Sequence, residues 1–458
     1  MLKSGFSSGA KVILCISVFG NAPLFAQEIT GQNPQEFEKP DVQALQQQIN
    51  DLKAKVDQLG ENDIDIDQNS DDKDDQNAQD FLLEWDPGPK LSSKDGQFSF
   101  QLNGRVTYDY ANITFKDGAG DTRPGEKVDG MDLRYLDFGF RGKMFGNFNY
   151  RVVMKFNGGE TELKMATFDY DINNTKIIFG QTRTYTTLDK MTPPTMMAFA
   201  ERFAFVNAIN VDRRIGIAAA QYGDDWSVSG GYFFQNAIGQ PNDGSNMISG
   251  RVNYSPQFES GLGVHIGASA FYRNRNGNPY DPEYETRAFS KQGDVKPLFS
   301  GDFLVDNELF IGGEFAANYG SFGVQTEYAT IKTDLNPVEM RTMTNPRYEG
   351  GYVEVGFFPT GGSQTIDGSD GRLNDVKVNS PVGNGGIGEI RLAVRYDIAD
   401  LRHETFGRKQ TSYIGAVDWY LNEALKIQMN YAHSVVRDYM NVKTDTVNTF
   451  NTRFMFNF

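Results

Sequence analysis

The stretch from Thr446 to Phe458 restricts the possible folds more than any other part of the chain. Phe450, Phe454, Phe456 and Phe458 share one parity, while Asn451, Arg453 and Asn457 share the other. Successive side chains of a strand point to opposite faces, so this segment has one aromatic face and one polar face. In a soluble sandwich those phenylalanines would need a second layer to cover them. A transmembrane barrel needs no such layer, because lipid covers its outer face and water its inner one.

The same period of two recurs from Phe98 onward. Phe98, Phe100, Leu102, Val106, Tyr108 and Tyr110 alternate with Ser99, Gln101, Asn103, Arg105, Thr107 and Asp109. Candidate strands start near residues 98, 133, 147, 163, 175, 214, 226, 247, 262, 307, 322, 348, 388, 410, 425 and 446. Each is about nine to thirteen residues long, enough for a tilted strand to cross a bilayer. Aromatic residues make up 13% of the chain although its mean hydropathy is −0.50, a pairing expected when only alternate residues meet lipid. The expected fold class is all-β, a transmembrane antiparallel barrel of about sixteen strands over residues 90–458, with a short N-terminal coiled-coil helix.

Upstream of the barrel the chain changes character. Lys3 and Lys11 precede an apolar core at Val12–Phe19, and Ala26 supplies a small residue before Gln27. Residues 1–26 read as a secretory signal peptide. Cys15, the sole cysteine, offers a lipoprotein alternative, but the residues before it are bulky. Residues 27–60 read as a periplasmic arm. Within it Val42, Leu45, Ile49, Leu52, Val56 and Leu59 form an a/d seam over 42–59, either a coiled coil or a single docked helix. Residues 61–89 read as an acidic flexible linker, and residues 1–89 carry a net charge of −11 out of the total of −16. Asp63, Asp65, Asp67, Asn69, Asp71 and Asp74 approach calcium-loop spacing, but Gln68 replaces the turn glycine, and no metal site is assigned.

Connections between strands are short near 144–147, 223–225, 255–261, 320–321 and 421–423, and long at 111–130, 182–213, 274–306, 335–347 and 359–387. This asymmetry predicts short periplasmic turns and long outer loops. The three histidines, His265, His403 and His433, lie far apart in sequence. His433 and Ser434 are adjacent on a strand and so face opposite ways, which argues against a lipid-cleaving pair. No enzyme, cofactor or nucleic-acid surface is expected.

Gly180 to Lys190, leading into Phe199-Ala200-Glu201-Arg202-Phe203, resembles the phosphate-selective porin O/P family. Phe98 to Arg105, Arg134 to Phe138 and Val417 to Lys426 support the resemblance, which covers roughly residues 90–458. It implies a sixteen-stranded homotrimeric outer-membrane porin that passes small anions such as phosphate, with a constriction loop at about 182–213. It also places Lys190 at the family's anion site and Glu201-Arg202 in a loop motif. Two features depart from the phosphate branch: Asp132-Leu133 stand where it has paired arginines, and acids interrupt the basic residues between Arg273 and Lys296. Both weaken the expectation of phosphate selectivity.

The charges complete the expected site. Lys190, Arg202, Arg183, Arg213 and Arg214, with Asp189, Glu201 and Asp212, form the candidate anion-binding constriction. Inward parity or position makes Arg105, Arg134, Arg151, Lys155, Arg273, Arg391 and Arg395 candidate pore-lining residues, with Asp109, Asp137, Glu314, Glu327, Glu354, Glu389 and Asp418 on the same side. Terminal Phe458, by resemblance to outer-membrane barrels generally, is the mark read by the barrel-insertion machinery. The remaining expected partners are outer-membrane lipid and lipopolysaccharide, and peptidoglycan through the periplasmic arm.

Overall fold

The computed structural model describes residues 81–458 apart from 86, 123–125, 158, 212, 236–243, 276, 278 and 279. The expected signal peptide, coiled-coil seam and residues 61–80 of the acidic linker lie outside the described residues, as does Asp212; Phe81–Trp85 and Pro89, expected within the flexible linker, are strand residues instead.

Alternation of apolar and polar residues produces long antiparallel strands. A hairpin of β1 (Phe81–Trp85) and β2 (Pro89–Ser93) comes first. Then follow β3 (Ser99–Asp117), β4 (Val128–Met144), β5 (Phe148–Asn157), β6 (Glu160–Ile172), β7 (Thr175–Thr182), β8 (Arg214–Tyr222), β9 (Trp226–Phe233), β10 (Asn246–Tyr254) and β11 (Leu262–Asn274). A two-residue pair, β12 (Glu285–Thr286) and β13 (Leu298–Phe299), lies within a loop. The wall continues through β14 (Val305–Tyr319), β15 (Phe322–Leu335), β16 (Arg347–Phe357), β17 (Glu389–Asp400), β18 (Arg408–Tyr420), β19 (Leu425–Asp438) and β20 (Lys443–Asn457).

β20 pairs back onto β3, from Asn457 opposite Arg105 to Asp445 opposite Asp117. The result is a closed antiparallel barrel of sixteen strands, β3–β11 and β14–β20. Closure leaves the spanning wall without an open edge, the condition for strands in a bilayer. Parity separates the faces as the sequence predicts. On the closing strand Phe450, Phe454 and Phe456 stay exposed on the lipid side, while Arg453 is fully buried inside.

One connection lies at the opposite end from the one expected. Residues 358–388, predicted over 359–387 as a long outer loop, join β16 to β17 at the end that carries the turns 145–147, 223–225, 320–321 and 421–424 and the C-terminal Phe458. Connections must alternate ends in an up-and-down barrel. The 320–321 turn and the 358–388 segment are separated by β15, the 336–346 loop and β16, so they share an end. By the short-turn rule this end faces the periplasm. The segment folds inward instead of hanging free: Arg251 donates to the carbonyls of Asp370 and Gly371, each at 2.7 Å.

The barrel is filled on one side. Phe199, Phe203, Phe205, Val206 and Ile209 of the 183–213 loop pack against Phe233, Met247, Phe271, Phe310, Ile331 and Tyr352 of the wall, forming a buried apolar core. Gly350 on β16 makes room for it, since a Cβ there would come within 2.3 Å of the Phe205 Cβ.

Candidate functional site

The loop between β7 and β8 contains two short helices, α1 (Leu188–Met191) and α2 (Ala204–Ile209). Lying inside the barrel, it has backbone groups with no strand to pair with, and buried backbone groups need partners. Wall side chains supply them. Leu188 N–H donates to Glu314 Oε2 at 2.5 Å, Asp189 N–H to Glu327 Oε1 at 2.6 Å and Ala204 N–H to Asp397 Oδ2 at 3.1 Å. Ala200 N–H donates to Asn430 Oδ1 at 2.7 Å. In the other direction Lys426 Nζ donates to Met197 O at 2.7 Å, Gln428 Nε2 to Ala198 O at 2.9 Å and Arg453 Nη1 to Ala200 O at 2.5 Å.

These contacts change the role expected of the wall acids. Inward parity places Glu314, Glu327 and Glu354 on the lumen side, yet all three are buried. Glu314 and Glu327 hold loop N–H groups, while Glu354 binds Arg395 Nη2 at 2.7 Å. Asp418 pairs with Arg391 through Nε at 2.8 Å, and Glu308 binds Arg273 Nε at 2.5 Å. The arginines on β11 and β17 are therefore engaged with carboxylates rather than open to solutes.

The loop residues fall into two groups. Asp189 is a buried brace that accepts from Phe203 N–H at 2.9 Å and Arg202 Nη1 at 3.1 Å; Arg202 also donates to Thr192 O at 2.9 Å. Glu201 receives Arg134 Nη2 at 3.1 Å and Arg453 Nη2 at 3.4 Å. Burial alone would raise the Glu201 carboxyl, but Arg134 and Arg453 hold it below the usual carboxylate range. Lys190 is half-buried in α1. Arg214 is turned away from this group and buried, donating to Phe234 O and Ser245 Oγ at 2.8 Å each.

Arg183 and Arg213 belong to the other group. Arg183 donates to Met191 O. Burial, and then its cationic neighbours Arg213, Arg202, Arg372 and Arg151, depress its guanidinium well below the ordinary value. Arg151 and Arg141, directly opposite on β5 and β4, are both solvent-exposed on the inner wall. Arg372 comes from the 358–388 segment, which was expected among the long outer loops, and it pairs there with Asp370. Lys155, further along β5, pairs with Glu162 at 3.0 Å.

A β-bulge orders the adjoining cations. Thr107 pairs with Tyr135 and Tyr108 with Leu133, so Arg134 is the extra residue. Tyr135 turns inward, with Arg105 Cζ at 4.0 Å, Arg134 Cζ at 4.3 Å and Lys164 Nζ at 5.2 Å from its ring centre. Arg105 and Lys164 share Asp137, the latter at 2.6 Å. Alternation alone could not reveal this hub, because the bulge breaks the period where Arg134 sits. An inward-facing tyrosine among basic residues was the available signal.

One hydrogen-bonded row has the residue order of a nucleophile relay. Ser255 Oγ lies 2.7 Å from His265 Nδ1, and His265 Nε2 lies 3.2 Å from Glu314 Oε1. Ser255 and His265 are both 0% exposed, so the row offers no surface to a substrate. His433 and Ser434 face opposite sides, as expected: His433 Nδ1 meets Asn448 and Ser434 Oγ meets Ser412.

A closed sixteen-stranded barrel, with an aromatic outer wall and an inserted loop between β7 and β8, defines an outer-membrane porin. The chain belongs to the family described as phosphate-selective porin O and P, whose pattern it matches over residues 100–458. It is 23% identical to Porin O of Pseudomonas aeruginosa over 394 residues, covering 77% of this chain and 86% of that protein. It is 27% identical over 361 residues to an uncharacterized protein of Caulobacter vibrioides, covering 76% of this chain and 71% of that one. Among solved structures, OmpT, an outer membrane protein of Vibrio cholerae, superposes with a TM-score of 0.52 at 11% identity. That match covers 79% of this chain and 98% of that one. A second structure of OmpT, in a trimer form, superposes with a TM-score of 0.50 at 11% identity, over 79% of this chain and 99% of that one.

Proposed function

We propose that this porin conducts small hydrophilic anions, phosphate among them, along the inner wall of β3–β7, and that it assembles as a trimer. The observation behind the anion preference is the uneven distribution of the lumen charges. The acids of β14–β17 serve the inserted loop and the wall arginines, whereas Arg141, Arg151, Arg183, Arg213 and Arg372 gather on the other side, Arg372 paired with Asp370. A file of guanidinium groups attracts anions and offers paired donors to phosphate oxygens. Lys190 and Arg202 belong to the loop that narrows this path, and Arg202 acts chiefly by bracing it through Asp189. The trimer draws support from the Vibrio cholerae protein recorded in that form.

The phosphate part of the reading is tested by adding inorganic phosphate to single channels carrying chloride current. Chloride current should fall at millimolar phosphate, on the order of 1 mM, and Arg151→Ala with Arg183→Ala should remove the block. Chloride current indifferent to phosphate would leave a general anion pore and overturn the phosphate preference.

A further inference from the structure

The outer wall carries a charge pattern that the pore does not use. At the loop end of the barrel, Lys409, Arg437 and Lys443 stand directly opposite one another on β18, β19 and β20. On the same side of the barrel, Lys332 of β15 stands opposite Arg347 of β16. Lys332, Arg347, Lys409 and Arg437 continue the lipid-facing parity of their strands, set by the exposed residues Tyr328, Val353, Tyr413 and Tyr431, whereas Lys443 comes opposite Arg437 through a register shift at Thr444. The Lys332 side chain is 58% exposed, and Arg347 and Arg437 are exposed as well.

Their height on the wall is defined by β19. Its outward residues run from Leu425 through Ile427, Met429, Tyr431, His433 and Val435 before reaching Arg437. Ten residues of a strand tilted by about 40° cover roughly 25 Å, the height of the apolar band of such barrels. Arg437 and its cross-strand neighbours therefore lie where acyl chains give way to headgroups, on the leaflet next to the outer loops. The pattern is confined to one side. At the corresponding end of β10, β11 and β14 the outward residues are Asn246, Asn274 and Asn307.

Like charges directly opposite across strands are destabilising. Three acids share this level and relieve it in part. Asp400 binds Arg402 Nη2 at 2.6 Å and Lys409 Nζ at 3.3 Å, Asp334 lies 3.9 Å from Lys332 Nζ, and Glu349 accepts from Tyr328 Oη at 2.5 Å. Around Arg437 the contacts are a 3.2 Å bond to Asn441 O and its two cationic neighbours. Adjacent cations at a headgroup level suit a multivalent anion that bridges them, and phosphate monoesters do this with short charge-assisted bonds.

We infer that Lys409, Arg437 and Lys443, with Lys332 and Arg347 beside them, form a docking surface for the phosphorylated headgroup of an outer-leaflet glycolipid. The acyl chains of that lipid would lie against Tyr413, Tyr431 and Phe450 below. The surface is separate from the pore, and its existence does not depend on which ion the pore prefers.

Native mass spectrometry of the intact protein in neutral detergent tests this, using bis-phosphorylated lipid A and the same lipid stripped of phosphate as probes. The wild-type protein should retain the phosphorylated lipid by roughly tenfold or more over the stripped one. Lys409→Gln, Arg437→Gln and Lys443→Gln together should abolish that preference and leave the channel's zero-current potential unchanged. Equal retention of both lipids by the wild-type protein would overturn the inference without recourse to any variant. So would an undiminished preference in the triple variant, or displacement of the lipid by an equimolar amount of inorganic pyrophosphate.

Discussion

Replacing Arg453 with alanine is expected to cost about 3–5 kcal/mol of barrel stability and to release the inserted loop, because it breaks a buried ion pair from one side. Arg453 is 0% exposed and binds Asp109 through Nε and Nη2 at 2.7 and 2.6 Å. It also donates to Ala200 O and reaches Glu201 Oε1, so one side chain joins the closing strand, β3 and the loop. Without it, two buried carboxylates, Asp109 and Glu201, are left to Arg134, which lies 3.9 and 3.1 Å from them. Urea unfolding, followed by the mobility of unheated protein on gels, should show a clearly lower midpoint. Arg453→Lys, which keeps the charge but loses the planar fork, should fall between the two. A midpoint equal to wild type in the alanine variant would show that this network does not hold the loop.

The second large effect is expected from Gly371→Val, which should free the periplasmic insertion and raise single-channel conductance, on the order of twofold. Gly371 has φ of +60°, a conformation unfavourable for a β-branched residue. A Cβ at this position would also come within 2.6 Å of Asn253 Cγ. The carbonyl of Gly371 is one of the two that Arg251 grips, and Arg251 in turn binds Glu314 through Nε at 2.8 Å. The insertion meets the loop from the other end: Gln364 Nε2 donates to Met196 O at 2.8 Å, and Ile366 packs with Leu188. Conductance at or below the wild-type level in a correctly assembled variant would mean that the insertion does not narrow the path.

The wall was legible in the sequence because lipid and water impose opposite demands on alternate residues. Each of the sixteen strands begins within a few residues of where the period predicts, and Arg453 lies inside as its parity requires. The ends of the barrel were less legible. Length suggested an outer loop for 359–387, although counting ends from the 320–321 turn would have placed it in the periplasm. The site was legible in kind but not in pairing. Alternation shows that Glu314 and Glu327 face inward, but not that a loop more than a hundred residues away in sequence takes up their oxygens. Nor does it show that Arg134 leaves the period at a bulge, or that Arg214, beside Arg213, turns into another loop.

The central claim is that carboxylates engaged by the loop leave a net basic path. The zero-current potential across a planar bilayer in an about tenfold KCl gradient tests it most directly, since fixed lumen charge sets the ion that carries current. The potential should have the sign of chloride selectivity, and Arg151→Glu with Arg183→Glu should move it towards potassium. A potassium-selective wild-type channel, unaffected by Lys190→Ala or Arg202→Ala, would contradict the account.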